Sequence, residues 1–132
     1  MKTKNITVMV LCLFALSLIT ACQPTEKIAI DDLYGVWVWD ERGLFSFMYE
    51  DGTFLVAETN GPEFPVEFGQ FSLEGTTLTY VMDEDSPSCT GTTIVVEAEF
   101  IEGDMYQETI LDTDCEEGLD PGDTIIWIRH SP

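Results

Sequence analysis

The sequence predicts an all-β fold, most simply an eight-stranded antiparallel up-and-down barrel, with a two-sheet β-sandwich as the alternative. Three observations carry this expectation. Beyond residue 32, β-rich runs alternate with turn signals at roughly ten-residue spacing. No stretch sustains the 3.6-residue period of an amphipathic helix. The connections are short, so consecutive strands should be neighbours, and an antiparallel sheet of this size removes its exposed edges most simply by closing. At eight strands the interior is just wide enough to be filled by side chains or to hold one small ligand.

The expected strands are residues 34–40, 44–50, 53–59, 66–73, 76–82, 92–101, 105–114 and 124–130. Asp51-Gly52 reads as a two-residue turn that tolerates positive φ. It would set Tyr49 opposite Phe54 and Phe47 opposite Val56, with all four on one face. Glu74-Gly75 is expected to turn the next hairpin and align Phe71 with Leu78. Glu102-Gly103-Asp104 turns a later one, with a loop of two or three residues. The aromatics assigned to the inner face are Trp37, Trp39, Phe45, Phe47, Tyr49, Phe54, Phe71 and Tyr80. They either fill a small barrel or line an apolar pocket in which Tyr49 or Tyr80 offers a polar handle.

The 132 residues divide into an export signal (1–21), a tether (22–32) and one β domain (33–132). Lys2 and Lys4 precede an apolar run, residues 6–19, broken only by Thr7 and Ser17. Those 14 residues are fewer than the roughly 20 a spanning helix needs, and a basic start before a short apolar run is the pattern of an export signal. Ile19-Thr20-Ala21-Cys22 resembles the lipobox of bacterial lipoproteins. That resemblance implies cleavage before Cys22, a lipid on its thiol, and stable anchoring at a membrane. Gln23 in the next position resembles the pattern sent to the outer membrane where the host has two membranes. With Cys12 in the signal and Cys22 lipidated, Cys89 and Cys115 are left as a disulfide pair in an oxidising compartment. They also fit the open ends of the hairpin turned at residues 102–104.

From Cys22 onward all 25 acidic residues face only Lys27, Arg42 and Arg129, a net charge near −22. This excludes a nucleic-acid partner, which requires a basic footprint, and opposes lying flat on anionic lipid. Three tryptophans, seven phenylalanines beyond the signal and many aliphatic residues supply one small core.

Tyr34-Gly35-Val36-Trp37 on the first strand and Trp127-Ile128-Arg129 on the last resemble the lipocalin-like (calycin) barrels. The hairpins around Phe47-Met48-Tyr49-Glu50-Asp51-Gly52-Thr53-Phe54 and Gly69-Gln70-Phe71-Ser72-Leu73-Glu74-Gly75-Thr76 are similar to those of small bacterial lipocalin-like lipoproteins. The resemblance covers most of residues 34–130, and it implies that Trp37 plugs the closed end with Arg129 across its ring. The loop motif of larger lipocalins is absent.

Catalytic chemistry is not expected. His130 is the one histidine and sits near the end of the chain. There is no Gly-x-Ser-x-Gly elbow and no glycine-rich phosphate cradle. The acidic run Asp112-Thr113-Asp114-Cys115-Glu116-Glu117-Gly118 departs from a calcium loop, because Glu117 stands where the sharp-turn glycine belongs. No metal ligands and no cofactor are assigned. Two functions follow as expectations. One is non-enzymatic binding of a small apolar or amphipathic molecule, with Trp39, Phe45, Phe47, Tyr49, Phe54, Phe71 and Tyr80 as candidate pocket residues. The other is a filled barrel serving as a structural or protein-interaction module, including a calcium-dependent one.

Overall fold

A computed structural model describes residues 27–131 of the chain. The segment expected to be an export signal, Cys22 as the expected lipidation site, and the first part of the expected tether lie outside the described residues. Each expected run corresponds to a strand whose bounds lie within two residues of it: β1 Gly35–Trp39, β2 Leu44–Met48, β3 Thr53–Ala57, β4 Pro65–Glu74, β5 Thr77–Met82, β6 Thr93–Glu102, β7 Met105–Thr113 and β8 Thr124–Arg129. Before β1 the chain makes one 3-10 turn, Ile30–Asp32. Every strand is antiparallel to the next, and β1 also pairs with β8, Trp37 opposite Arg129 and Val38 opposite Ile128. This last pairing makes a closed barrel of the meander and sets aside the sandwich.

Three registers differ from expectation, each for a local reason. In the β2–β3 hairpin the Tyr49 amide donates to the Thr53 carbonyl at 2.9 Å, so the loop is Glu50-Asp51-Gly52, three residues and not two. The Asp51 carboxylate accepts from the Thr53 amide at 2.9 Å and from its hydroxyl at 2.6 Å, and Gly52 alone takes a positive φ, 84°. A turn closed by an aspartate and followed by a left-handed glycine is the three-residue hairpin form. Met48 therefore faces Phe54, Phe47 faces Leu55, and Ser46 faces Val56. A one-residue slip reverses every side chain on a strand, so Ser46 and Met48 point inward while Phe45, Phe47 and Tyr49 belong to the outer face.

In the β4–β5 hairpin the loop is Gly75-Thr76, which pairs Phe71 with Tyr80 and Leu73 with Leu78. That slip is even and leaves the faces as expected. Between β6 and β7, irregularities at Val95/Val96 and Phe100/Glu102 shift the register along the hairpin. Cys89 and Cys115 are joined, with Cα atoms 5.1 Å apart. They lie just beyond the strand ends, where Cys89 at φ 51° ties the β5–β6 loop to the β7–β8 loop.

The barrel end at which β1 starts is solidly packed. Trp37 is fully buried, with the Tyr106 ring edge-on at 4.6 Å and Phe100 beside it at 6.1 Å. Its indole N–H donates to the Leu33 carbonyl at 2.8 Å, which holds the 3-10 turn over the end of the barrel. The Arg129 guanidinium lies over the Trp37 ring, 4.2 Å from its centre. It also donates to the carbonyls of Tyr34 at 3.1 Å and Asp32 at 2.7 Å. Gly35 runs beside it at φ 124°, where an added Cβ would stand 3.2 Å from Arg129 Nη1. The first glycine of Gly-x-Trp thus has both a conformational and a steric reason.

Two stability measurements probe this architecture. The disulfide closes a 26-residue separation. Reducing it should cost about 3 kcal/mol by the loop-entropy argument, read as a lower urea midpoint, with any change in slope an increase as the unfolded chain expands. Gly35→Ala should destabilise by about 1–3 kcal/mol through backbone strain, and equal midpoints for wild type and variant would contradict that reading.

Candidate ligand-binding cavity

The opposite half of the barrel is hollow. Alternation sends every second side chain of each strand inward, and toward the disulfide end these do not meet across the axis. They leave a cavity of about 320 Å³. Its walls carry Trp39 from β1, Phe54 from β3, Tyr80 from β5 and Trp127 from β8, with Leu44, Val56, Met82, Val96 and Ile110 between them. Arg42, Glu117 and Leu119 from the loops stand at the rim. The aromatic rings pair edge to face, Trp39 with Trp127 at 6.0 Å and Phe54 with Tyr80 at 4.9 Å. Arg42 lies over Trp39 at 5.2 Å.

The apolar wall is interrupted by two acids, Glu67 and Glu108. Glu108 on β7 is 2% exposed. Its Oε1 accepts hydrogen bonds from the Tyr80 hydroxyl and, at 3.2 Å, from the Tyr106 hydroxyl. The Trp127 indole N–H is close enough to favour the carboxylate, yet it forms no hydrogen bond of normal geometry and is a buried donor without a partner. Oε2 accepts no hydrogen bond from the described residues. Burial pushes the Glu108 carboxyl above the usual glutamate range, and the donors from Tyr80, Trp127 and Tyr106 only partly oppose it. Burial likewise raises Glu67, against a bond from Ser88. Burial first, and then the charge of Glu108, hold the Tyr80 and Tyr106 phenols well above their ordinary value, so both remain donors.

Of the residues assigned to a pocket from the sequence, Trp39, Phe54 and Tyr80 line the cavity. Phe71 is buried but packs in the core, its ring edge-on to Tyr34 at 6.4 Å. Phe45, Phe47 and Tyr49 are turned away by the three-residue loop, which overturns the expected register. Phe45 packs against His130 with ring centres 5.6 Å apart, and Tyr49 is 41% exposed. Trp37 and Arg129 lie beyond the cavity floor. Sequence reasoning missed Glu67, Glu108 and Trp127 as wall residues. The signal for Glu108 was present in Tyr106-x-Glu108-x-Ile110, an acid at an inward position between two apolar inward neighbours.

Among the described residues no three His, Cys, Asp or Glu side chains converge as a metal site. Carboxylates in and after the acidic run instead accept from backbone: Asp114 from the Thr93 amide at the start of β6, and Asp123 from the Asp120 amide at 2.9 Å. Comparison with protein-family models, with curated proteins and with solved structures finds no match for this chain.

The buried acid carries a pH signature. A carboxyl whose folded pKa is raised binds more protons in the native than in the unfolded state between the two values, so it makes stability fall as pH rises through that window. Urea unfolding from about pH 4 to about pH 8 should show the gain of Glu108→Gln over wild type growing with pH. Parallel stability curves would show that Glu108 titrates normally.

Proposed function

We propose that this chain is a non-enzymatic, lipid-anchored protein of the cell envelope, with a calycin-type barrel that holds a small apolar or amphipathic molecule. The observation that carries the reading is the cavity of about 320 Å³, left open by inward side chains that fill only the other half of the barrel. Its volume falls in the small-molecule range. The wall is dominated by aromatic and aliphatic groups, with polar atoms confined to a few positions.

The calycin assignment is supported by Gly35 and Trp37 on the first strand and by Arg129 on the last, stacked on the Trp37 ring. Export is supported by the basic and apolar start of the chain and by the Cys89–Cys115 bond, which suits an oxidising compartment. Under this reading Cys22 bears the lipid, and Gln23 directs the protein to the outer membrane of a host with two membranes. The strong negative charge keeps the domain soluble and standing off anionic lipid heads.

Native mass spectrometry of the full chain, expressed with export and extracted in a non-denaturing detergent, tests this function. An excess mass of small-molecule size, beyond the lipid on Cys22 and lost on solvent extraction, is expected. A mass accounted for by the lipidated polypeptide alone, with no uptake from a lipid extract, would refute ligand binding.

A further inference from the structure

Resting on the ligand-binding reading, we infer that the bound molecule is a small amphipathic amine, its protonated nitrogen seated against Glu108 Oε2 and its apolar body between the Trp39–Trp127 and Phe54–Tyr80 ring pairs.

The argument begins with what surrounds Glu108. A carboxyl removed from water requires donors, a counter-charge or a proton. The two donors that bond it, the Tyr80 and Tyr106 hydroxyls, both fall on Oε1, and the Trp127 N–H nearby completes no hydrogen bond of normal geometry. A counter-charge is missing. Among the described residues the cations are Lys27, Arg42 and Arg129, and none lies against this carboxyl. Arg42 rests on Trp39 at the rim, and Arg129 is held below the floor on Trp37, with its Nε 3.6 Å from Asp104. Glu108 belongs to the cavity wall, and both tyrosine bonds fall on Oε1, which leaves Oε2 as the oxygen free to accept from a ligand.

The rest of the cavity favours the same ligand charge. Glu67 adds a second carboxyl to the wall, and Glu117 a third at the rim. Among the described residues Arg42 is the one cation in the lining and is held over the Trp39 ring at the rim; aromatic rings such as those of Phe54, Tyr80 and Trp127 attract a cation once water is excluded. The net charge of the domain concentrates cations near the mouth and disfavours the approach of carboxylate ligands such as fatty acids. A neutral amphiphile is neither attracted nor repelled, and would leave Glu108 as it is in the empty cavity.

Three probes of equal size separate these cases: phenethylamine, phenethyl alcohol and phenylacetate, titrated into the full chain in a neutral detergent and read by tryptophan fluorescence and calorimetry. Phenethylamine should bind at least about tenfold more tightly than the alcohol, as a charge-assisted hydrogen bond requires, with phenylacetate weakest. Glu108→Gln should bring the amine down to about the affinity that the same variant shows for the alcohol. Equal or tighter binding of the alcohol or of phenylacetate by wild type overturns the amine inference and leaves the ligand-binding barrel standing. So does an amine preference that survives Glu108→Gln. Absence of binding by all three probes, together with a bare native mass, overturns the binding reading itself. Should the variant fail to fold, the wild-type ranking of the three probes decides alone.

Discussion

A sheet that removes its edges by closing must join its first strand to its last, and in this barrel that seam is a short one. β1 and β8 meet at Trp37 with Arg129 and at Val38 with Ile128. Side chains and caps supplement the ladder. Arg129 crosses from the last strand onto the ring of Trp37 and reaches two carbonyls just ahead of β1, while the His130 amide donates to the Val36 carbonyl at 2.8 Å. One guanidinium thus joins the first and last strands and caps the barrel floor. Planarity and a fork of donors make arginine suited to this in a way lysine is not. The same geometry fixes the glycine at 35, since the chain passes too close to Arg129 for a side chain there.

From this closed end the barrel divides along its axis. Around Trp37 the inward positions carry Tyr106, Phe100, Met48 and Leu78, large enough to meet across the axis, and the interior is filled. Toward the other end the inward positions include Ser46, Val56 and two glutamates, and the bulky rings of Trp39 and Trp127 meet edge to face at the wall. A filled barrel and a cup are therefore the same fold with different side chains on one set of alternate positions. The disulfide stands at the hollow end, tying together two of the loops that surround the opening, where the smaller core offers least to hold them.

The strands were legible because they are short, rich in β-branched and aromatic residues, and punctuated by glycine. The closed topology was legible because no connection is long enough for a crossover. Register was not legible from composition. Asp51-Gly52 carries the signature of a two-residue turn, and only the bonds from Thr53 to the Asp51 carboxylate make it the loop of three. That single residue turned Phe45, Phe47 and Tyr49 from an expected pocket onto the outer wall, whereas the two-residue slip at Gly75-Thr76 altered pairing and no face. Glu108 was hidden for a different reason. In a chain with 25 acidic residues a glutamate in a strand reads as an outward residue by default. Its inward place emerges only when its parity is tied to Tyr106 and Ile110.

That placement is hard to ascribe to stability. A leucine at 108 would fill part of the void, remove a buried carboxyl and continue the apolar wall, and exchanging a buried charge for a packed hydrocarbon is often neutral or stabilising. Glu108 caps no helix, closes no turn and pairs with no cation of the described chain. Two tyrosines are committed to one of its oxygens, and a tryptophan N–H is left without a bond beside it. Local rules of packing and polar satisfaction are broken together at this one place in the interior, while the opposite half of the barrel keeps them. Such coincident violations mark functional sites, where a cost to the fold is matched by a gain on binding. The group that would complete this cluster is one that brings positive charge and a hydrogen-bond donor from outside the chain.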